Sequence, residues 1–271
     1  VKVLVVDADL EAPGVTFWLD EVNQPQVSFV QFLEAMHYPP VNQEASLRFF
    51  LVFLKKSSIN LEGAQHELFI LAAALNWSEL MDMPIHPSHL TSNPDNPWIL
   101  TDHLHALGKY IGVDTVFIDL RAGLSELSSP VIFDPRVEHY FVSTVAKQSV
   151  EGICKILERL HEFKQKLSIQ ERKDAKPSLV VSLLTTELKR LPDYSITKEK
   201  IETAYPSVEG VLDEGVEWLE AECSSELMSI ANVREAFTKL KKSNLFLASA
   251  QPWAKNLVPI NSTTSNFLQN H

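Results

Sequence analysis

Six short, almost unbroken apolar runs recur along the sequence, at residues 1–6, 68–72, 115–118, 140–142, 179–184 and 245–247. None alternates with polar residues as a strand with one wet face would. A strand that is apolar on both sides needs cover on both sides, and crossover helices between parallel neighbours supply it. The runs therefore predict an α/β fold: a mainly parallel sheet with helices on both faces. The spacing between the runs agrees. Val150, Ile153, Leu157, Leu160 and Phe163 recur every three or four residues, which places one apolar stripe on a helix over residues 147–166. Further helices are expected over residues 28–36, 44–56, 101–110 and 230–241.

Length and composition narrow the class. A chain of 271 residues with 45% hydrophobic and 22% charged residues can bury a substantial core, which excludes a small disulfide scaffold and a mostly disordered chain. Twenty-four basic against thirty-five acidic residues give a net charge of -11, so overall charge does not draw the chain to nucleic acid or to an anionic membrane. Either contact would need a local basic patch. Cys154 and Cys223 form no CxxC pair, which argues against zinc fingers and disulfide frameworks and fits a reducing, cytoplasmic setting. No apolar run reaches the roughly 18 residues of a membrane span, and no charged-then-apolar leader opens the sequence.

No linker divides the chain, so a single domain over residues 1–271 is expected. Residues 81–97 carry Pro84, Pro87, Pro94 and Pro97 and read as a loop. Between residues 185 and 226 the sequence is acidic and irregular. Asp213, Glu214, Glu217, Glu220, Glu222 and Glu226 crowd together there, and no strand is read. Residues 185–243 are expected to form an insertion within the domain.

Chemistry-bearing residues concentrate after the first run. Val3-Leu4-Val5-Val6 leads into Asp7-Ala8-Asp9-Leu10-Glu11-Ala12-Pro13-Gly14-Val15-Thr16. Ligands of open parallel sheets bind outside the carboxyl ends of strands, where Asp7 and Asp9 would emerge. Paired carboxylates there suit a hydrated magnesium ion and the positioning of a water. Aspartates that merely cap the following turn explain the spacing equally well. A second run, Val116-Phe117-Ile118, ends at Asp119 and continues through Leu120-Arg121-Ala122-Gly123-Leu124-Ser125. A strand-terminal aspartate of this kind holds the magnesium shell in P-loop hydrolases, and a glycine beyond it lets backbone approach phosphates.

These residues resemble the deviant Walker-A ATPases of the ParA/MinD type, and more narrowly the branch whose phosphate loop reads KGGVGR. The DLDLEAPG-like motif of that branch is matched by residues 7–14, its IDxRxGLS-like segment by residues 118–125, and its QSxEG-like helix start by Gln148-Ser149-Val150-Glu151-Gly152. The three motifs fall in the family's order within the first 155 or so residues; the remainder is similar in pattern only. The resemblance implies a three-layer P-loop NTPase-like fold that binds ATP and magnesium. It assigns Asp9 to positioning the attacking water and Asp119, with Asp9, to the magnesium ion, partly through water. Asp7, Asp119, Arg121 and Gly123 would line the nucleotide site. It further implies a switch that regulates a protein partner, often as a homodimer, in a bacterial partitioning or conflict system. A non-catalytic scaffold or interaction module on the same fold is the alternative.

The family's glycine-rich loop has no match in the 271 residues. The Gly108-Lys109 pair is followed by Tyr110, and His103 stands where the leading glycine of GxxxxGK[ST] belongs. In the family that loop and its helix precede the DLDLEAPG-like strand by about one βα unit of some 30 residues. The sequence begins where that unit would end, and the expectation is a domain without its first βα unit.

Other features carry less. His103 and His105 are two apart on a helix and face different sides; His86 and His89 sit in the proline-rich loop. Cys154 falls on an apolar helix face and reads as core. Lys155, Arg159, Lys164, Lys166, Arg172, Lys173 and Lys176 are basic, but interleaved Glu158, Glu162, Glu171 and Asp174 point to a salt-bridged, solvated helix rather than a nucleic-acid surface. The acidic stretch after Leu212 reads as a solvated face.

Overall fold

The computed structural model describes residues 1–19, 24–37, 43–61, 66–83, 95–166, 176–207 and 215–242. The described residues separate into two units, one within residues 1–130 and 230–236, the other within residues 131–229 and 237–242.

The first unit is built on a four-stranded sheet of order β2-β3-β1-β4, with β1 at Lys2–Asp7, β2 at Ile59–Leu61, β3 at His66–Leu71 and β4 at Thr115–Asp119. Strand β1 is parallel to both β3 and β4, and β2 runs antiparallel to β3. The register sets Leu4 opposite Phe69 and Val6 opposite Leu71, and all four side chains are fully buried. The alternate residues Val3 and Val5 are only half-buried, and Phe117 of β4 is exposed. Helices α1 (Phe29–His37) and α2 (Gln43–Lys56) supply much of the apolar cover. Phe29, Phe32, Phe50 and Leu54 are buried, and Phe32 meets Phe50 edge to face with ring centroids 5.3 Å apart. Burying a side chain of this size contributes about 1.5–3 kcal/mol. The five-residue α3 (Trp77–Met81) follows β3, and α4 (Ile99–Ile111) precedes β4. Helix α4 ends because Gly112 adopts φ +79°, and its N–H closes on the carbonyls of Gly108 and Lys109. Gly108-Lys109 is thus helix rather than loop, with Gly108 buried and Lys109 exposed.

The second unit carries a three-stranded parallel sheet of order β5-β6-β7: β5 at Tyr140–Ser143, β6 at Ser178–Leu184 and β7 at Glu217–Glu222. Helix α6 (Lys147–Lys164) crosses from β5 to β6 and buries Val150, Ile153, Cys154, Ile156, Leu157 and Leu160. Cys154 is core, and burial pushes its thiol pKa up. On the outer face of α6, Lys155 pairs with Glu158 at 2.8 Å and Arg159 with Glu162 at 2.7 Å, the salt-bridged helix expected from the interleaved charges. The short α5 (Ser128–Phe133) and the C-terminal α9 (Val233–Lys242) contain residues of both units.

The acidic segment differs from its reading. Helices α7 (Thr186–Arg190) and α8 (Pro192–Ala204) open it, α7 capped by the Thr185 hydroxyl accepting from the Leu188 N–H at 3.2 Å, and α8 started by Pro192. It then forms a real strand, β7. The carboxylates that hid this strand have partners: Glu217 accepts from the Ser178 hydroxyl at 2.7 Å, and Lys189 reaches Glu220 at 2.8 Å and Glu222 at 3.2 Å. Tyr194 donates to Glu220 and accepts from the Trp218 indole at 3.0 Å. The strand expected at residues 245–247 and the histidines at 86 and 89 lie outside the described residues. Among the described residues no helix is long and apolar enough to cross a membrane.

Candidate functional site

Asp7 and Asp119 are the last residues of β1 and β4, and parallel pairing puts them directly opposite each other. The Ala8 N–H donates to the Asp119 carbonyl at 2.8 Å, so the two strand ends stay paired one residue past the carboxylates. Asp9 follows on the same side of the sheet's end, and the three aspartates called from the sequence meet at the carboxyl ends of two neighbouring strands.

Their environments differ. Asp7 is completely buried. Its Oδ2 accepts from both the backbone N–H and the hydroxyl of Thr16, each at 2.7 Å, and its Oδ1 accepts from the Asp9 N–H at 3.3 Å. Burial nevertheless holds its carboxyl above the usual carboxylate range; the Thr16 and Asp9 hydrogen bonds only partly offset that, and Asp9's charge adds to it. Asp119 is exposed. Loss of water around its carboxyl, then repulsion from Asp7 and Asp9, raises it as well. Asp9 accepts from the N–H groups of Glu11 at 3.2 Å and Ala12 at 3.0 Å through one oxygen, Oδ1. That is the turn-capping role the spacing also allowed.

Thr16 is the residue that sequence reasoning missed. It is the second residue of a short 3-10 turn, Val15–Trp18, after the Pro13-Gly14 bend. Its hydroxyl hydrogen goes to Asp7, while its oxygen accepts from the Ala73 N–H at 2.8 Å, just beyond β3. One side chain therefore ties the ends of β1 and β3. A threonine nine residues after an aspartate has no periodic signature; the Pro-Gly bend, which folds the chain back, was the available clue.

Arg121 forms an ion pair with Glu11, and both side chains are exposed, so the pair contributes about 1 kcal/mol at most. It joins the loop after β1 to the loop after β4. Gly123 adopts φ +88°, a conformation that favours glycine, and a Cβ there would meet no atom within 4 Å. Its carbonyl accepts from the Ser128 hydroxyl at 3.1 Å, and that hydroxyl accepts from the Ser125 N–H at 2.8 Å. The loop is braced yet open on the side of the missing Cβ.

No group of three or more His, Cys, Asp or Glu side chains among the described residues is arranged to hold a metal by protein ligands alone. Magnesium ordinarily takes one or two carboxylates, such as those of Asp119 and Asp9, and completes its shell with water and phosphate oxygens. His103 and His105 stay on α4 outside this cluster, and burial lowers the pKa of His103. A shallow groove of about 470 Å³ between α1 and α2, lined by Gln26, Gln31, Ala45 and Phe49 among others, contains no titratable side chain.

No protein-family model and no curated protein matches the sequence. Solved structures do match. A ParA family ATPase from Chlorobium tepidum is 15% identical with a TM-score of 0.56, covering 94% of this chain and 85% of its own. A plasmid partition protein from Borrelia burgdorferi is 15% identical with a TM-score of 0.44, covering 88% of this chain and 85% of its own. The likeness to the first is one of fold: an α/β chain of mainly parallel strands with helices on both faces, as in P-loop NTPases.

Proposed function

We propose that this protein is an ATP-binding and ATP-hydrolysing switch that regulates a partner protein. The observation that carries the reading is the Asp7–Asp119 pair at the ends of adjacent parallel strands, with Asp9 beside it, in a chain folded like a ParA family ATPase. In this reading Asp119, with Asp9, takes up magnesium partly through water, and the metal's chemistry is to draw charge from the phosphates. Asp9 orients the attacking water. Buried Asp7 holds the loop bearing Asp9 through its oxygens. Arg121 and Gly123 line the nucleotide side, the first by charge and the second by leaving room for phosphate. As in the resemblance, function as a homodimer in a bacterial partitioning or conflict process belongs to the same proposal.

A second reading, a scaffold on the same fold without catalysis, has its own support. Asp7 and Asp9 already accept hydrogen bonds from nearby backbone, and Arg121 is already paired with Glu11. No GxxxxGK[ST] stretch lies within the 271 residues to supply the N–H groups and lysine that neutralise a triphosphate. Calorimetry separates the two. The 271 residues alone, at net charge -11, are expected to bind MgATP more weakly than about 100 µM. A chain that carries a GxxxxGK[ST] loop ahead of residue 1 is expected to bind and hydrolyse it. Neither binding nor turnover in such a chain would leave the scaffold.

A further inference from the structure

Five large apolar side chains lie exposed on the first unit, next to the aspartate cluster but outside it: Phe17 (57% exposed), Trp18 (41%), Leu75 (37%), Trp77 (57%) and Met81 (83%). They come from two segments that the structure holds together. The Thr16 hydroxyl accepts from the Ala73 N–H, which sets the Phe17-Trp18 turn beside the chain leaving β3, and the rings of Phe17 and Trp77 meet with centroids 5.6 Å apart. Met81 is four residues after Trp77 on α3 and so shares its face.

The support beneath is rigid. Asn76 caps α3 by accepting from the Glu79 N–H at 3.0 Å. Glu79 accepts from the Leu75 N–H at 2.6 Å and from the Ser28 hydroxyl at 3.0 Å. The apolar groups therefore do not face outward because the segment is loose; the backbone that presents them is pinned at both ends. Contiguous apolar surface of this kind, two tryptophans and an adaptable methionine included, is what binding surfaces are made of.

Charge says what kind of partner fits. From Val3 to Leu47 the sequence contains no lysine or arginine but seven acidic residues, and from Ser57 to Gly108 again none but six acidic ones. Both segments that build the patch lie inside these stretches. Asp9 precedes it in one, where Glu11 is already paired with Arg121, and Glu79 and Asp82 flank it in the other. A second copy of this chain would bring like charges together around the patch, and an anionic membrane or nucleic acid would be repelled. A cationic segment would gain from both features: its apolar face covers the rings, and its lysines or arginines meet the acidic rim and the tryptophan faces.

We propose that Phe17, Trp18, Leu75, Trp77 and Met81 form the docking surface for a basic, amphipathic segment of a partner protein. The surface gives the regulated partner of the nucleotide reading a place to bind, but binding at it does not require nucleotide.

The test uses fluorescent helical peptides without ATP: a Lys/Leu amphipathic peptide, a Glu/Leu peptide of the same apolar pattern, and a Lys/Ser peptide of the same charge. Anisotropy should report binding of the Lys/Leu peptide alone, at least tenfold weaker in Phe17→Ser/Trp77→Ser. It should also be weaker in Met81→Lys, which alters a residue too exposed to disturb folding. Equal binding of the Lys/Ser peptide, or unchanged affinity in both variants, overturns the proposal. So does a concentration-dependent dimer of the protein that Met81→Lys abolishes, since the occupant is then a second copy. Because no nucleotide is present, failure here leaves the ATPase reading standing, and loss of ATP turnover in other variants leaves this one standing.

Discussion

Asp7 and Asp119 face each other across the parallel β1–β4 pair, one carboxylate fully buried and the other exposed. Their shared position makes them one electrostatic unit, because each carries a raised pKa and Asp119 is raised in part by Asp7 itself. A cluster that is costly as three anions is suited to receive a cation.

The two exposed or half-buried members should separate by role. In a chain that carries the phosphate loop, Asp9→Ala is expected to lower ATP turnover by at least about a hundredfold while changing ATP affinity less than about threefold. Asp119→Ala should weaken magnesium-dependent binding as well. Turnover and affinity measured side by side decide it; unchanged turnover in the Asp9 variant removes Asp9 from the reaction.

Thr16→Val keeps the shape and deletes the hydroxyl. The buried Asp7 carboxylate then loses a donor and the Ala73 N–H loses its acceptor. A destabilisation of about 2–3 kcal/mol is expected from denaturant melts. A loss below about 0.5 kcal/mol would mean that water replaces the hydroxyl at both ends.

The raised pKa of Asp119 fixes a pH dependence. An acid whose folded pKa exceeds its unfolded value holds its proton longer in the fold. Its contribution to stability therefore falls as pH rises from the unfolded value through the folded one, and the penalty persists at neutral pH. Removing the charge should relieve it: Asp119→Asn is expected to melt about 1–2 °C above wild type at pH 7, the gain vanishing in acid. A variant that melts lower at pH 7 contradicts this account of Asp119.

His139 gives the opposite sign. It is buried against Phe141 in the second unit, rings nearly parallel with centroids 5.8 Å apart, and its Nε2 lies 3.4 Å from the Val131 carbonyl while Nδ1 has no hydrogen-bond partner. Burial, with repulsion from Lys164, lowers its pKa, so the fold keeps it neutral. Its stabilising share is complete above the unfolded value near 6.5 and is lost as pH falls from there through the depressed folded pKa. His139→Phe should flatten the stability profile below about pH 6.5. A profile as steep as wild type would place the acid sensitivity elsewhere.

The apolar runs made five of the seven strands among the described residues legible, because buried parallel strands are written as local composition. Two strands were not legible for different reasons. Ile59–Leu61 is a three-residue edge strand, too short to carry a period. Glu217–Glu222 reads as solvated because the groups that satisfy its carboxylates, Ser178, Lys189 and Tyr194, lie 23 or more residues away in sequence. The site divides the same way. Asp7, Asp9 and Asp119 were readable because strand ends and carboxylates are both local signals. Thr16 was not, because its importance arises only when the chain folds back, and the Glu11–Arg121 pair joins loops some 110 residues apart.

Among the described residues, β7 pairs on one side only, with β6, and leaves its other edge without a strand. Its sequence, Glu-Trp-Leu-Glu-Ala-Glu, makes that edge a poor template for aggregation. A strand from another molecule would have to lie alongside three carboxylates, and a second β7 would set acid against acid. Lys189 quenches part of this charge from within the same chain, enough to let the strand form but not enough to make the edge inviting. Replacing Glu220 and Glu222 by valine would keep the strand and remove its guard, turning a protected border into a site for fibre-like growth.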